Sequence, residues 1–365
     1  MKAITHITTV HPIYDTRIFK KMCGSLVDSS YEVNLIVTHN MATQIDGVNI
    51  IPLPEIKNRF LRIIFKPCLA FFKAIHIKSD IYHFHDPELI TMGLMLKLFR
   101  KKVIYDVHED VSSQMLHKQW LPKIIRSPLS SIFDRFEKFS SVFFDGIVTA
   151  TPYILARFFK ISPKTKKICI NNYPIVRKLE KPYKEKNHIL YIGGITKERA
   201  ALEMVQSIDA EVMQLILIGP AYPESLLKVL EKEKNWKNVE YLPSLYNNKK
   251  YAYFHKSSLG LCLFHDLPNH TRALPNKILE YWERGLPVLA SDFSYWKEFY
   301  GPYGGIEFVD PTSSDKVNKK LKEMLSDPKK LSEMGMKGRH AVEKELNWNN
   351  ELKKLLDLYD SILSK

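Results

Sequence analysis

Short apolar runs that alternate with helix-like segments constrain the fold of this chain more than any other feature of its sequence. Between these runs, apolar residues recur with the three-to-four-residue spacing of amphipathic helices. Such alternation is typical of parallel α/β sheets, in which each strand is followed by a helix. Twelve strands are predicted, at 3–10, 33–38, 81–85, 103–107, 146–151, 167–171, 188–193, 214–219, 238–242, 259–264, 287–291 and 306–309. Two groups of strands fit two doubly wound domains better than one oversized sheet.

A polar, proline-containing stretch, 171–187, separates the two groups of strands. Its composition is that of a linker, and 365 residues are enough for two domains with separate cores. Near the end of the chain, Trp348–Leu363 has the apolar spacing of an amphipathic helix. We therefore predict an N-terminal domain over 1–171, a linker over 172–187, a C-terminal domain over 188–346 and a final helical segment over 347–365.

The composition is that of a soluble globular protein, with 45% apolar and 26% charged residues. No apolar run is long enough to predict a membrane-spanning helix, and the first residues lack the apolar core of a signal peptide. The four cysteines are scattered without CxxC spacing, so neither disulfides nor a zinc site is expected. The chain is expected to be cytoplasmic.

The net charge of +14 is concentrated in the N-terminal half, where residues 1–180 contribute +11. An anionic partner is therefore expected: a membrane surface or a phosphorylated substrate, but not nucleic acid, for which no recognition motif is present. Residues 57–78 mix cations with large apolar residues and could bind a membrane surface peripherally. The alternative is a core helix with solvated lysines, interrupted at Pro67. The residues considered for headgroup or acyl contact are Lys57, Arg59, Phe60, Arg62, Ile64, Lys66, Phe71, Phe72, Lys73 and Lys78.

Residues 272–296 are predicted to form a helix followed by a buried strand. Pro275 suits the first turn of this helix, and Gly285 suits its end. Helical spacing puts Lys277 and Glu280 on one face with Tyr281 and Arg284, while Ile278 and Trp282 lie on a face that can pack inward. The amides of the helix N-terminus and a lysine could hold a diphosphate, and a carboxylate one turn further could accept hydrogen bonds from ribose hydroxyls. The alternative is an ordinary amphipathic helix with a Lys/Glu surface pair.

The segment LPNKILEYWERGLPVLASDFSYWKE resembles the nucleotide-binding segment of the family-4-type ("group 1") retaining glycosyltransferases of GT-B fold. The resemblance implies two Rossmann-like domains facing a central cleft, with acceptor binding in the N-terminal domain and nucleotide-sugar binding in the C-terminal one. It also implies that the final helix crosses back to the N-terminal domain. It assigns Lys277 to catalysis, and Asn276 and Glu280 to donor binding.

The segment 188–200 resembles the donor-phosphate loop of the same family. Gly193 and Gly194 would allow the backbone to approach a ligand closely, and Arg199 stands where the family has a lysine that neutralises the diphosphate. The sequence departs from the family pattern at two positions. Gly194 replaces the first arginine of the loop, and Arg272 replaces the first glutamate of an E-x7-E pair, so a carboxylate nucleophile is not evident.

The segment HPIYDTRIFKK, after the first predicted strand, resembles a subset of these transferases that lack the glycine-rich first loop. Arg17 could reach a phosphate or a sugar hydroxyl, while Asp15 could bind the acceptor or only cap a helix. After the third strand, Asp86 could likewise bind the acceptor or cap a helix that starts at Pro87. His85, Asp86 and Glu88 match no known metal-binding spacing, so no metal site is predicted.

His108 follows the strand at 103–107 and resembles the family position at which an active-site histidine contacts the donor sugar. A histidine in a loop is otherwise often only structural. Glu109 and Asp110 could orient His108 or bind acceptor hydroxyls, and the sequence does not rank them.

The predicted function is transfer of a hexose-type sugar from a nucleoside-diphosphate sugar to a saccharide or lipid-linked saccharide acceptor, with retention, in bacterial surface polysaccharide biosynthesis. Arg199 and Lys277 would stabilise the departing diphosphate, so neither a metal nor a cofactor is expected. Two alternatives stay open: a nucleotide-sugar 2-epimerase of the same fold and a non-catalytic GT-B scaffold protein.

Overall fold

A computed structural model describes residues 1–116, 121–159, 165–179, 187–243, 245 and 249–364. The chain forms two compact units: Met1–Asn172 together with Trp348–Lys365, and Tyr173–Asn347. The residues 180–186 of the predicted linker lie outside the described residues.

The first unit is built on an eight-stranded sheet. Its strands are β1 (Ala3–Ile7), β2 (Glu32–Thr38), β3 (Thr43–Ile45), β4 (Val48–Leu53), β5 (Ile81–Phe84), β6 (Val103–Val107), β7 (Gly146–Thr149) and β8 (Lys166–Cys169). They lie in the order β3-β4-β2-β1-β5-β6-β7-β8, and every neighbouring pair is parallel except β3 with β4. A π-helical segment, Thr16–Cys23, leads into the first of the helices, which are α1 (Gly24–Asp28), α2 (Arg59–His76), α3 (Ile90–Leu98), α4 (Val111–Met115), α5 (Lys123–Ser141) and α6 (Pro152–Phe158).

The second unit contains a six-stranded parallel sheet of order β11-β10-β9-β12-β13-β14. Its strands are β9 (His188–Ile192), β10 (Gln214–Ile218), β11 (Val239–Leu242), β12 (Leu259–Cys262), β13 (Val288–Ser291) and β14 (Ile306–Val309). Its helices are α7 (Ala201–Gln206), α8 (Ser225–Leu230), α9 (Lys249–Lys256), α10 (Pro268–Thr271), α11 (Asn276–Glu283), α12 (Ser294–Tyr300), α13 (Ser314–Ser326) and α14 (Pro328–Lys344).

The last helix, α15 (Trp348–Leu363), belongs to the first unit. Tyr359 is fully buried there, and its hydroxyl lies 2.7 Å from Nδ1 of His83 on β5. The carboxylate of Glu351 accepts a hydrogen bond from the backbone N–H of Asn171, just after β8. These contacts join the end of the chain to the interior of the first sheet.

Parallel strands that are covered on both faces bury nearly every side chain, which explains the continuous apolar runs of the sequence. All residues of β1, β6 and β12 are buried. Polar groups that are to meet a ligand are therefore confined to the loops beyond the carboxyl ends of the strands. In the first unit these loops follow the neighbours β1, β5 and β6, and in the second unit they follow β9, β12 and β13.

The twelve-strand prediction missed β3 and β4, which form a hairpin at the edge of the first sheet. Asp46 and Gly47 turn this hairpin with φ values of +49° and +79°. An Asp-Gly pair between apolar alternating residues is a strong hairpin signal, because both turn positions need a positive φ. The sequence therefore carried the information, and the strand prediction overlooked it.

Helix α2 corrects two assignments within residues 57–78. Lys66 was expected at lipid headgroups, but it is buried and its ammonium group donates to the Thr9 carbonyl at 3.0 Å. Phe71 was expected to reach the acyl boundary, but it packs inside the unit. Both side chains lie on the face of α2 that meets the sheet, which the mixed sequence pattern did not reveal.

Helix α11 and the strand β13 follow the predicted segment 272–296 closely. Pro275 precedes the helix as its N-cap residue, with extended backbone, and Gly285 ends it with a φ of +66°. Trp282 is fully buried against α14, where a Cβ atom at Gly338 would lie 2.5 Å from its indole ring. Glycine at 338 is thus a condition for the close approach of α11 and α14.

We expect Gly338→Ala to lower the free energy of unfolding by about 1–3 kcal/mol, because the added methyl group overlaps Trp282 in a close-packed core. Gly24→Ala is the matched control, since Gly24 is also helical and the nearest atom to its added Cβ is 3.6 Å away. The control should be neutral or stabilising by up to about 1 kcal/mol. Urea unfolding with equal losses in both variants would contradict the packing argument.

Candidate functional site

Two groups of candidate functional side chains lie at the carboxyl ends of the strands, one group in each unit. In the second unit the chain turns sharply after β9 at Gly193, whose φ is +139°. A Cβ atom at Gly193 would lie 3.2 Å from the ammonium nitrogen of Lys277, and one at Gly194 would lie 3.1 Å from Nη1 of Arg199. The two glycines thus leave space in which both cations reach the backbone loop.

Lys277 carries an ammonium group that is buried and has no hydrogen-bond partner among the described residues. It lies 3.9 Å from the ring centroid of Tyr191 and 5.0 Å from that of Phe264. Arg199 lies over the same Phe264 ring at 5.5 Å and donates to the Gly194 carbonyl at 3.2 Å. Aromatic faces stabilise a cation weakly, so this pair keeps most of its capacity to bind an anion.

The field of the two cations acts on a neighbouring thiol. Burial raises the pKa of Cys262 to about 12, and the positive charges of Lys277 and Arg199 oppose this rise. The cysteine lies at the end of β12, the neighbour of β9 in the sheet. The two positive charges lower the free energy of a negative charge beside them, as a phosphate site requires.

Tyr281 was predicted to share a helix face with Lys277, but in the structure it has a structural role. The side chain is fully buried, and its hydroxyl accepts from the Ile192 N–H at 3.1 Å and donates to the Leu190 carbonyl at 3.2 Å. Tyr281 thereby fixes α11 to the end of β9 and sets the position of Lys277 beside Gly193. Arg284 is also buried, so these two residues do not share an open face with Lys277.

The other residues of α11 that were predicted to bind the nucleotide-sugar donor are accessible. Asn276 is exposed at the first helical position, and the Glu280 side chain is 43% exposed and 3.5 Å from Lys250. Arg272 is exposed in the loop that precedes the helix.

Sequence reasoning missed two histidines near this group: His265 in the loop after β12 and His270 in the short helix α10 that follows. His265 pairs with Glu203 at 3.0 Å, and His270 packs against the Phe264 ring at 4.8 Å. Burial lowers the pKa of His270. Polar residues directly after a buried strand were the available signal.

In the first unit, the buried carboxylate of Asp106 binds an arginine and two histidines from different parts of the chain. Asp106, on β6, accepts from Arg17 Nε at 3.2 Å and Nη2 at 3.0 Å. The ring nitrogens His85 Nδ1 and His108 Nε2 each lie 3.2 Å from its Oδ2 atom. Burial opposes ionisation of Asp106, but Arg17 and the two imidazoles hold its pKa well below the usual range. Sequence reasoning missed Asp106, although a charged residue inside an apolar strand was a visible signal.

Arg17 was predicted to reach a phosphate or a sugar hydroxyl. In the structure it is only 5% exposed, and its remaining donor, Nη1, bonds the Ile170 carbonyl at 2.6 Å. Each of the three guanidinium nitrogens thus donates to the protein, and the group holds Asp106 in place.

Behind Asp106 stands a stack of buried imidazoles. His6 Nδ1 lies 2.9 Å from His85 Nε2, and the rings of His6 and His83 have centroids 4.9 Å apart. Burial lowers the pKa of His6 and of His83 far below 6.5 and that of His85 to about 4. All three imidazoles are therefore neutral at pH 7, and they pack as polar core residues that hold Asp106 and His108.

His108 lies at the solvent side of this cluster, with 14% of its side chain exposed. The ring of His11 is 4.9 Å from that of His108, and His11 also approaches Asp15 and Asp86, each at 3.5 Å. These two carboxylates hold the pKa of His11 above its usual value against the effect of burial. His11 and His108 thus form the accessible part of the group.

The predicted acceptor residues have different surroundings. Asp15 accepts from the backbone N–H groups of Arg17 and Ile18, each at 2.8 Å, and so caps the π-helical segment. Asp86 makes no capping bond, which corrects that prediction; it is buried and accepts from the Thr8 hydroxyl and the Thr9 N–H. Glu109 is exposed, and its carboxylate accepts from Gln114 at 2.8 Å.

Within the part of the chain that the structure describes, the residues that could hold a metal ion are His83, His85 and Asp106, whose ligand atoms lie within 4.8 Å of one another. The guanidinium of Arg17 already contacts both oxygens of Asp106. A further cation would be repelled at that point, so the hydrogen-bonded cluster is the arrangement that the residues favour.

Comparison with solved structures defines the class of protein. Sucrose-phosphate synthase from Thermosynechococcus elongatus matches with a TM-score of 0.77 and 16% identity over 100% of both chains. The Anabaena protein HepE in complex with UDP and glucose matches with a TM-score of 0.71 and 10% identity over 99% of this chain and 100% of that one. WaaG, a glycosyltransferase involved in lipopolysaccharide biosynthesis, matches with a TM-score of 0.70 and 13% identity over 99% of both chains. The chain therefore has the fold of the GT-B glycosyltransferases, as predicted.

The sequence comparison matches part of the chain to a family model. Residues 198–357 match the model described as "Glycosyl transferase-like". No curated protein matches the sequence significantly. The resemblance to GT-B glycosyltransferases is confirmed at this level.

The neutral histidines make the stability of the first unit depend on pH. A histidine with a lowered pKa takes up a proton on unfolding below about pH 6.5, so its contribution is complete above that pH and is lost as the pH falls. In His83→Gln one such group is absent. Between pH 6 and 5, the free energy of unfolding of this variant should fall less steeply than that of the parent, by about 1.4 kcal/mol per pH unit.

The quantity measured is the slope of the free energy of unfolding against pH, obtained by urea unfolding. This slope reports titration, whereas the loss of packing that the substitution also causes lowers the free energy at every pH. His39→Gln is the control, because His39 lies outside the cluster, in the loop after β2. Its slope should equal that of the parent. Identical slopes in all three proteins would show that His83 does not titrate on unfolding.

Proposed function

We propose that this protein transfers a hexose-type sugar, with retention, from a nucleoside-diphosphate sugar to a hydroxyl of a saccharide or lipid-linked saccharide. The observation that carries the proposal is the pair Arg199 and Lys277, which converge beside Gly193 while the Lys277 ammonium has no hydrogen-bond partner among the described residues. A buried cation without a partner is costly unless a ligand supplies the anion. A departing diphosphate has that charge.

The proposed chemistry places the main stabilisation on the leaving group. As the bond from the anomeric carbon to the phosphate oxygen breaks, negative charge grows on the diphosphate, and fixed cations lower the energy of that state. Arg199, Lys277 and the first amides of α11 supply the positive groups, so the proposal includes neither a metal nor a cofactor. No carboxylate nucleophile is part of it: the acceptor attacks from the side of the leaving group and its proton passes to the departing phosphate oxygen.

In the first unit the proposal keeps His108 as the residue that contacts the donor sugar. Asp106 and Arg17 act as positioning residues, because the carboxylate lies 3.2 Å from His108 Nε2 and the guanidinium holds that carboxylate. Of the three predicted acceptor residues, Asp15 and Asp86 are occupied with backbone groups, whereas Glu109 is exposed. Glu109 is therefore the one that we retain for acceptor binding.

The biological setting is likewise a proposal: bacterial surface polysaccharide biosynthesis, in the cytoplasm, with peripheral contact of residues 57–78 with the inner face of the membrane. The excess of positive charge in residues 1–180 supports an anionic surface as partner.

One assay distinguishes the proposed transferase from the two alternative functions. Candidate nucleotide sugars are incubated with the protein and the products are identified by mass spectrometry. Slow hydrolysis of the donor supports the transferase, inversion at C2 of the sugar supports a 2-epimerase, and the absence of both turnover and nucleotide binding supports a scaffold protein.

We expect Lys277→Met to weaken binding of the nucleoside diphosphate by about 1.5–3 kcal/mol, the range for a hydrogen bond to a charged group. The same substitution should raise the melting temperature of the ligand-free protein, because an unpaired buried charge is replaced by an apolar side chain of similar length. Lys197→Met is the control, because Lys197 is exposed in the segment after β9 that also carries Arg199; it should change neither the affinity nor the melting temperature. Calorimetry and thermal unfolding measure both; unchanged affinity in Lys277→Met would remove this lysine from the site.

We expect Glu280→Ala to weaken nucleotide-sugar binding by about 1–3 kcal/mol, because ribose hydroxyls lose their acceptor. Binding of inorganic pyrophosphate, which has no ribose, should stay unchanged. The control is Glu298→Ala, an exposed carboxylate on α12. If calorimetry gives equal losses for the nucleotide and for pyrophosphate, Glu280 does not act through the ribose.

A further inference from the structure

Helix α5 has its polar and apolar sides reversed relative to an ordinary surface helix. Its buried positions are polar, namely Ser130, Glu137, Ser140 and Ser141, and the apolar residue that packs against the core from this helix is the partly buried Phe133. The exposed side of the helix and the two residues after it carry Ile124, Ile125, Leu129, Ile132, Phe136, Phe139, Val142 and Phe143. Ile124 is 89% exposed, Phe139 64% and Ile132 63%. A soluble helix normally shows the opposite pattern.

The buried polar residues of α5 have hydrogen-bond partners inside the unit. The reversed orientation of this helix is therefore stabilised by the fold. Glu137 accepts from the Tyr105 hydroxyl at 2.8 Å and from Arg157 at 3.0 Å. The Ser130 hydroxyl donates to the Ser112 carbonyl at 2.7 Å. Rotating the helix to bury its apolar side would break these hydrogen bonds.

The exposed apolar residues of α5 form one continuous stripe. They follow each other at alternate steps of four and three positions, which places them on the same side of a helix over its whole length. The members of the stripe are Ile125, Leu129, Ile132, Phe136, Phe139 and Phe143.

Two neighbouring helices extend this surface. Helix α3 packs against both α2 and α5. At its end, Leu98 and Phe99 are 82% and 59% exposed. Helix α2 adds exposed apolar side chains at Phe60, Leu61, Ile63, Ile64, Phe65, Leu69 and Phe72. We call the exposed apolar side chains of α2, α5 and the end of α3 the outer apolar face.

The charges around the outer apolar face are mostly positive, although the exposed acids Glu55 and Asp80 lie near the two ends of α2. Exposed cations accompany the three helices at Lys57, Lys73, Lys78, Arg100, Lys123 and Arg135. Helices α2 and α3 contain no acidic residue. The two acids of α5, Asp134 and Glu137, are both paired with Arg157. The surface is therefore apolar at its centre and basic at its margin.

We propose that the outer apolar face docks onto an anionic lipid bilayer, with its Phe, Ile and Leu side chains among the acyl chains and its cations at the headgroups. Apolar insertion and attraction to anionic lipid are the two terms that hold an interfacial helix. No helix among the described residues is long and apolar enough to cross a membrane, so contact is with one leaflet. The inference extends the proposed membrane contact beyond residues 57–78 to α5, and it does not depend on the proposed transfer reaction.

The charge decides between a bilayer and a second copy of the chain. In a symmetric dimer the same patch meets itself, so the mostly basic margins of both copies would face each other with few acidic partners. An anionic bilayer neutralises that margin and removes the apolar centre from water at the same time.

The test is flotation of the purified protein with vesicles of phosphatidylcholine and phosphatidylglycerol. The variant Ile132→Ser/Phe136→Ser/Phe139→Ser should bind at least about tenfold more weakly, because three exposed side chains no longer insert. The control Val212→Ser/Val229→Ser/Met336→Ser replaces equally exposed apolar residues of the second unit and should bind as the parent does. Vesicles of phosphatidylcholine alone should bind the parent about tenfold more weakly as well.

Thermal unfolding checks that both variants are folded, and nucleotide binding is measured on the same preparations, so that failure of the docking proposal is distinguished from failure of the proposed reaction. The docking proposal is overturned if the parent does not float with anionic vesicles, or if the α5 variant floats as well as the parent. It is also overturned if light scattering shows a stable dimer that this variant dissociates, because the face then joins two copies of the chain.

Discussion

A charge at the carboxyl end of a buried parallel strand has to be compensated, and the two units meet this constraint in opposite ways. In the first unit the protein compensates the Asp106 carboxylate itself, with Arg17 and two imidazoles. In the second unit Lys277 and Arg199 have aromatic faces and a backbone carbonyl beside them. The described residues provide no hydrogen-bond acceptor for the Lys277 ammonium group. For this reason we expect an anionic ligand there.

The sequence was sufficient where the information is local. The helix α11 is bounded by Pro275 and Gly285, whose backbone preferences act at their own positions, and β13 is an apolar run between turn residues. The hairpin β3–β4 was also readable from Asp46-Gly47. In the same way, Gly193 lies where a strand meets a loop that the family resemblance had already marked.

The sequence was insufficient where a side chain has several possible partners far along the chain. Arg17 bonds a carboxylate 89 positions away, and nothing in its local pattern separates that partner from a phosphate. Tyr281 was assigned to an open face by helical spacing, yet spacing gives the relative angle between side chains and not which side meets the sheet. The same ambiguity concealed Lys66 and the reversed helix α5, because an apolar stripe is normally assumed to face inward.

Two features of the structure depart from the arrangement that would be most stable for the free protein. An unpaired ammonium on α11 and an apolar stripe exposed on α5 both reduce the stability of the molecule alone in water. A partner that binds only the folded state restores that stability in proportion to its affinity. Departures of this kind are therefore the physical basis for the proposed anion site and for the proposed lipid-binding surface.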